Sequence, residues 1–314
     1  MTAPATPRPV VVGVDGSPAS HTAVELAARE AHLHHSPLRV VHAFEWPLLG
    51  VYLGPSPELP ADEAGAAGLR ADANRVLAEA LAHAHSVSGT LGGGTPQIEG
   101  EVVTGEVSPV LLREAAGAAL LVVGDRGLGG FGGLLLGSVA IQVAAHAPAP
   151  VLVARGQLRR QGPVVVGVDG SAVSQAAVGF AFAEAAARDA ELLAVAAWTG
   201  RVSTEQAEQL PLIYDADDIE AAQVTALHQA LAPARDQWPQ VPVRELVRRG
   251  RPARVLLAAA EPAQLVVVGA RGRGGFTGLL LGSVSQAMLH HAGCPVAVVR
   301  KLPDQEGADD AAGG

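Results

Sequence analysis

The sequence predicts two tandem α/β domains, each a parallel β-sheet flanked by helices. One observation is a duplication: Val10-Val11-Val12-Gly13-Val14-Asp15-Gly16-Ser17 returns letter for letter at Val164 to Ser171, an offset of 154 residues. A second is a later match, Val122-Val123-Gly124 to Leu136-Gly137-Ser138-Val139, which returns at Val267 to Val284 at an offset of 145. A third is the alternation, within each copy, of short β-branched runs with longer Ala-rich stretches of helical period. Strand, helix and strand repeated in this way build a parallel sheet with right-handed crossovers.

In the first copy the runs predict strands near 9–14, 37–43, 98–103, 119–124 and 150–155, and helices near 18–35, 62–86, 107–117 and 137–146. Val10 to Val14 and Leu120 to Val123 are apolar at every position, as strands covered on both faces require. The difference in offset makes the second copy nine residues shorter between its second and third strands, with Gly89 to Thr95 a candidate for part of the surplus. The domains are expected over 1–156 and 157–303, with 304–314 an acidic tail expected to be disordered.

Composition narrows the function. A formal charge of −9 argues against a general nucleic-acid surface, which needs a basic patch. The single lysine, Lys301, leaves no GxxxxGK[ST] loop and so no P-loop chemistry. No apolar run reaches the ~18 residues of a membrane span. One cysteine, Cys294, and no basic-then-apolar leader place the expectation in the reducing cytoplasm.

A doubly wound sheet binds ligands outside the carboxyl ends of its strands, where the strand order reverses. After the fourth strand the first copy reads Gly124-Asp125-Arg126-Gly127, nine residues, then Gly137-Ser138; the second reads Gly269-Ala270-Arg271-Gly272, nine residues, then Gly282-Ser283. Glycines there admit close backbone approach and positive φ, so that successive N–H groups can form an anion nest. Gly137, Ser138 and Val139, like Gly282, Ser283 and Val284, are expected to offer amides at a helix N-terminus, where the dipole favours phosphate. Ser138 and Ser283 can instead cap that helix. Arg126 and Arg271 supply positive charge.

The pattern G-x2-G-x9-G-[S/T], with the V-x-V-D-G-S opening, resembles the nucleotide-binding branch of the universal stress protein family over both repeats, roughly Pro9 to Arg155 and Pro163 to Arg300. The resemblance implies a Rossmann-like five-stranded sheet in the order 3-2-1-4-5, one ATP per domain held with Mg2+ or Mn2+, a homodimer formed through the last strand, and a regulator of stress survival or growth acting on an unidentified protein partner. It implies a regulator with slow ATP hydrolysis at most rather than a dedicated catalyst, and the sequence itself assembles no Ser/His/Asp or paired-carboxylate set and so offers no catalytic residue. Carried onto this chain, it puts adenosine against Gly13 and Asp15, and Gly167 and Asp169. It puts adenine beside the backbone after the second strand, at Val41 and Val195. The triphosphate falls on Gly124, Arg126, Gly127, Gly137, Ser138 and Val139, and on Gly269, Arg271, Gly272, Gly282, Ser283 and Val284. The first copy departs from the family at Asp125, which sets an acid beside the phosphates, and at Glu106 to Pro109, where the second has Arg251-Pro252-Ala253.

Other residues carry bland readings. Asp15 and Asp169 sit in Asp-Gly turns, where a carboxylate commonly bonds the backbone. His32, His34 and His35 lack a matching ligand set for a metal. Cys294 reads as a packed thiol, and Trp46 and Tyr52 as cover for a sheet edge, with stacking on adenine the alternative. Two rivals on related folds fit less well. An adenylate-forming enzyme needs S-G-G-x-D-S after the first strand, and a flavodoxin-like carrier needs its phosphate loop there; a duplicated scaffold without ligand is the remaining alternative. Around the glycines, Asp125, Arg126 and Leu128 sum to zero charge whereas Ala270, Arg271 and Arg273 sum to +2, so the second copy is expected to bind ATP more tightly.

Overall fold

The computed structural model describes residues 7–45, 63–92, 94–128, 136–199, 216–272 and 280–300. Its contacts divide the chain into two units, Met1–Ala154 and Arg155–Gly314.

In the first unit β1 (Val10–Gly13), α1 (Pro18–Leu33), β2 (Leu38–Phe44), α2 (Glu63–Thr90), β3 (Ile98–Thr104), α3 (Val107–Ala115), β4 (Leu120–Gly124), α4 (Ser138–His146) and β5 (Val151–Ala154) follow one another. The strands pair in parallel in the order β3-β2-β1-β4-β5. The second unit repeats this with β6 (Val164–Gly167), α5 (Ala172–Ala187), β7 (Leu192–Trp198), α6 (Ala216–Gln237), β8 (Val243–Arg249), α7 (Pro252–Ala259), β9 (Leu265–Gly269), α8 (Ser283–His291) and β10 (Val296–Val299), in the order β8-β7-β6-β9-β10. The sheet class and strand order that the repeats and the resemblance implied are therefore present in both units.

The shared opening motif is a local folding signal. Valines 10–12 and 164–166 are no more than 1% exposed, so β1 and β6 are central strands covered on both faces. Ser17 caps α1 by accepting from the Ser20 amide at 3.1 Å, and Pro18 takes the first helical turn, where its missing N–H costs nothing. Ser171 caps α5 in the same way, accepting from the Ser174 amide at 3.2 Å. Small buried residues (Ala23, Ala27 and Ala31 on α1; Ala177, Ala181 and Ala185 on α5) bring each helix close to its sheet. The nine-residue surplus lies mainly in a helix: α2 has 28 residues and its counterpart α6 has 22. Gly89 and Thr90 accordingly belong to the last turn of α2 rather than to a loop.

Among the described residues no helix is long and apolar enough to cross a membrane. Trp46, Tyr52, Arg273 and the acidic tail lie outside the described residues.

Candidate functional site

At the switch point of the first unit, β1 leads toward β2 on one side and β4 on the other, and the segments after β1 and β4 meet. Asp15 makes the connection. Its Oδ1 accepts from the Ser17 amide at 2.9 Å, closing an Asx turn in which Gly16 has φ +82°. Its Oδ2 accepts from the Leu128 amide at 2.8 Å, 113 residues along the chain. The two readings of Asp15, turn former and site residue, are thus divided between its two oxygens. Asp169 repeats the turn, accepting at Oδ1 from the Ser171 amide at 2.9 Å and the Ser171 hydroxyl at 2.7 Å.

The site glycines separate by cause. A Cβ on Gly127 would lie 2.6 Å from Asp15 Oδ2, and one on Gly272 would collide with Asp169 Oδ2. At these two positions the missing side chain clears the loop for a carboxylate. Elsewhere it clears helix packing: a Cβ on Gly124 would lie 2.9 Å from the Ala19 backbone, one on Gly13 2.9 Å from Leu111, and one on Gly167 3.0 Å from Leu256. The expectation of positive φ in the loop needs correction. None of Gly124, Gly127, Gly137, Gly269, Gly272 and Gly282 adopts it; at Gly124, Gly127, Gly269 and Gly272 it is the space a Cβ would need that is taken, and at Gly137 and Gly282 a Cβ would meet only ordinary contacts.

The loop closes on itself. The Gly137 amide donates to the Asp125 carbonyl at 2.7 Å, and the Gly282 amide to the Ala270 carbonyl at 2.8 Å. Gly137 and Gly282 are therefore N-caps with occupied amides, which corrects their reading as phosphate donors. Ser138 and Ser283 are the first helical residues and exposed; neither helix has a side-chain cap. The amides of Ser138 and Val139, and of Ser283 and Val284, meet no acceptor among the described residues, as the opening turn of a helix dictates.

Val41 and Val195 also sit differently from expectation, inside β2 and β7 rather than after them, because those strands run three residues further than β1 and β6. Their carbonyls accept from the Val14 and Val168 amides at 2.9 Å each, so the chain leaving the central strand is pinned to its neighbour. In the first unit His42 adds a contact that sequence reasoning missed, its Nδ1 lying 2.8 Å from the Val14 carbonyl. The offset of 154 shows Ala196 in its place, which is the signal that it is particular to one copy. The residues at 32, 34 and 35 lie at the C-terminal end of α1, the end remote from the loop. Cys294 is fully buried, and burial pushes its thiol up to about 11.

Electrostatically the copies differ. The Asp125 carboxylate lies 3.7 Å from Arg126 Nε, so the first loop neutralises its own cation. Buried Ala270 occupies that position in the second unit, and Arg271 is exposed. Burial, then the neighbouring Arg271 charge, pushes the Arg300 guanidinium down from its ordinary value.

The family model described as "Universal stress protein family" matches residues 7–155 and 162–300. The chain belongs to the universal stress protein family. A universal stress protein of Mycobacterium tuberculosis H37Rv is 38% identical over 311 residues, covering 96% of this chain and 97% of the relative. One from Mycolicibacterium smegmatis is 35% identical over 309 residues, covering 96% and 99%. Among solved structures, a universal stress protein from Archaeoglobus fulgidus has a TM-score of 0.66 at 17% identity, covering 94% of this chain and 97% of its own, a likeness of fold.

Proposed function

We propose that each unit binds ATP in the crevice between the ends of its first and fourth strands, and that the universal stress protein uses nucleotide occupancy as a regulatory signal rather than for turnover. One observation carries this reading: the helix that follows the fourth strand opens with Ser138 and Val139 amides that have no acceptor among the described residues, beside a crevice closed by the Leu128–Asp15 bond of 2.8 Å. Donors of this kind suit phosphate oxygens, because the dipole and the orphan amides act together. The second unit supplies the equivalent Ser283 and Val284 amides beside exposed Arg271.

Mg2+ or Mn2+ fits these residues less well. Both oxygens of Asp15 already accept backbone amides, and Asp125 has no carboxylate counterpart at Ala270. A divalent ion would be held chiefly by the phosphates themselves. For a cytoplasmic homodimer signalling to a protein partner, the support is family membership.

The test is mass spectrometry of the small molecules released from the purified full chain. Co-purifying ATP or ADP supports the reading; release of a different ligand, or failure to bind added ATP, overturns it. Hydrolysis by pure protein is expected far below the ~10 s⁻¹ median of enzymes, since the sequence offers no residue assigned to orient an attacking water. Rapid, substrate-stimulated release of phosphate or pyrophosphate would favour the enzymatic alternative.

A further inference from the structure

The third strand and third helix of the two units differ in charge at corresponding places. At an offset of 145, Val103, Glu106 and Pro109 of the first unit correspond to Arg248, Arg251 and Arg254 of the second. With Asp125-Arg126 against Ala270-Arg271 added, the five positions total −1 in the first unit and +4 in the second.

Strand alternation places these arginines. Glu245 on β8 meets α6 through Arg235 at 2.7 Å and His228 at 3.1 Å. Arg248, three residues on, projects to the opposite face, where α7 packs on β7 and beside α8. Arg251 is the N-cap of α7 and Arg254 lies in its first turn. Both helices begin at the carboxyl end of the sheet and pack against each other, so the arginines and the Ser283 and Val284 amides lie at the same end of the unit. Among the described residues no carboxylate pairs with Arg248, Arg251, Arg254 or Arg271.

Stability does not explain the arrangement. Cations at a helix N-terminus oppose the macrodipole, whereas Glu106, the N-cap of α3 in the first unit, favours it. The charge of Arg271 acting on Arg300 adds a like-charge repulsion, and an arriving anion relieves it together with the clash with the helix dipole. We infer that the second unit selects its ligand by phosphate count through Arg248, Arg251, Arg254 and Arg271, whereas the first unit, self-neutralised at Asp125-Arg126, is nearly indifferent to it. The inference rests on the nucleotide reading above and names the ligand class that each site prefers: a polyanionic nucleoside triphosphate in the second, a mononucleotide as readily as a triphosphate in the first.

Full-length Gly127→Glu and Gly272→Glu variants each leave one site, and calorimetry with AMP, ADP and ATP at two salt concentrations reads the selectivity. With only the second site intact, ATP is expected to bind more tightly than AMP by about thirtyfold or more at low salt, shrinking as salt screens the arginines. With only the first intact, the ratio is expected below about fivefold. Adding Arg251→Glu and Arg254→Glu to Gly127→Glu should bring the ratio down to that of the first site. The same pair of changes in the otherwise unaltered chain should melt no lower than wild type without ligand, because it removes the clash with the α7 dipole. Ratios equal within about twofold in the two units, or a ratio that survives charge reversal, would overturn the inference while leaving the nucleotide reading intact. If the wild-type chain binds none of the three, both fall together.

Discussion

Adding one methyl group at Gly127 should break the contact that joins the two halves of the first site. The Cβ of Gly127→Ala lies 2.6 Å from Asp15 Oδ2, well inside the distance that real Cβ atoms keep, so the carboxylate or the loop must move. The casualty is the bond from the Leu128 amide to Asp15 at 2.8 Å. A hydrogen bond to a charged group is worth about 1.5–3 kcal/mol, and Asp15 is half-buried, so about 1–2 kcal/mol is the expected loss. For a unit of this size that is a drop of about 2–8 °C in melting temperature. Asp15→Ala should cost more, since it also frees the Ser17 amide, bonded at 2.9 Å. The decisive comparison is the double variant. Once the carboxylate is gone the methyl has room, so Gly127→Ala on the Asp15→Ala background should cost almost nothing, a coupling of about 1–2 kcal/mol. Thermal or urea unfolding of the four proteins measures it. Additivity within about 0.5 kcal/mol would refute the claim that Gly127 is glycine because of Asp15.

Other expectations follow from packing and protonation. Gly124→Ala places a Cβ 2.9 Å from the Ala19 backbone and should cost about 1–3 kcal/mol in unfolding experiments, whereas Gly117→Ala, with nothing within 4 Å, should stay within about 0.5 kcal/mol. Leu111→Ala and Leu256→Ala, at residues 2% and 3% exposed, should each cost about 2–5 kcal/mol by opening a cavity beside the first strand of their unit. Cys294, its thiol held near 11 against an ordinary 9.0, should resist iodoacetamide at pH 8 until the chain unfolds. Because the folded thiol holds its proton more tightly than the unfolded one, its contribution to stability is full below pH 9.0 and lost as pH rises toward 11, which a pH series of melts compared with Cys294→Ala would show.

The duplication made the fold legible. Each β-branched run between helical stretches became a strand, and Ser17 and Ser171 behave as caps because the capping geometry is local. Identity of residues could also locate the crevice, since the loops after the first and fourth strands must meet at a switch point. What the letters could not disclose was which neighbour each glycine serves. Gly13, Gly124 and Gly127 look alike in sequence, yet one faces Leu111, one the Ala19 backbone and one Asp15. Those partners lie far along the chain or on another element, and no periodicity encodes them. The occupied amide of Gly137 was hidden for the same reason: its acceptor, the Asp125 carbonyl, lies twelve residues earlier in the chain. Val41 was misplaced by a strand boundary, because β2 outlasts β1 and only the paired register reveals where the central strand stops. The arginines at 248, 251 and 254 were legible as charges but not as a group at one end of the unit, since strand alternation and the start of α7 place them there.

The most direct test of the account is a calorimetric titration of ATP into the wild-type chain and into the Gly127→Glu/Gly272→Glu double variant, with circular dichroism recorded on both. The glutamates fill the space cleared beside Asp15 and Asp169 and add charge of the same sign as phosphate. The account predicts saturable ATP binding by the wild type and none by a double variant with the same spectrum. Equal affinity for ATP in the two proteins, at unchanged secondary structure, would contradict it.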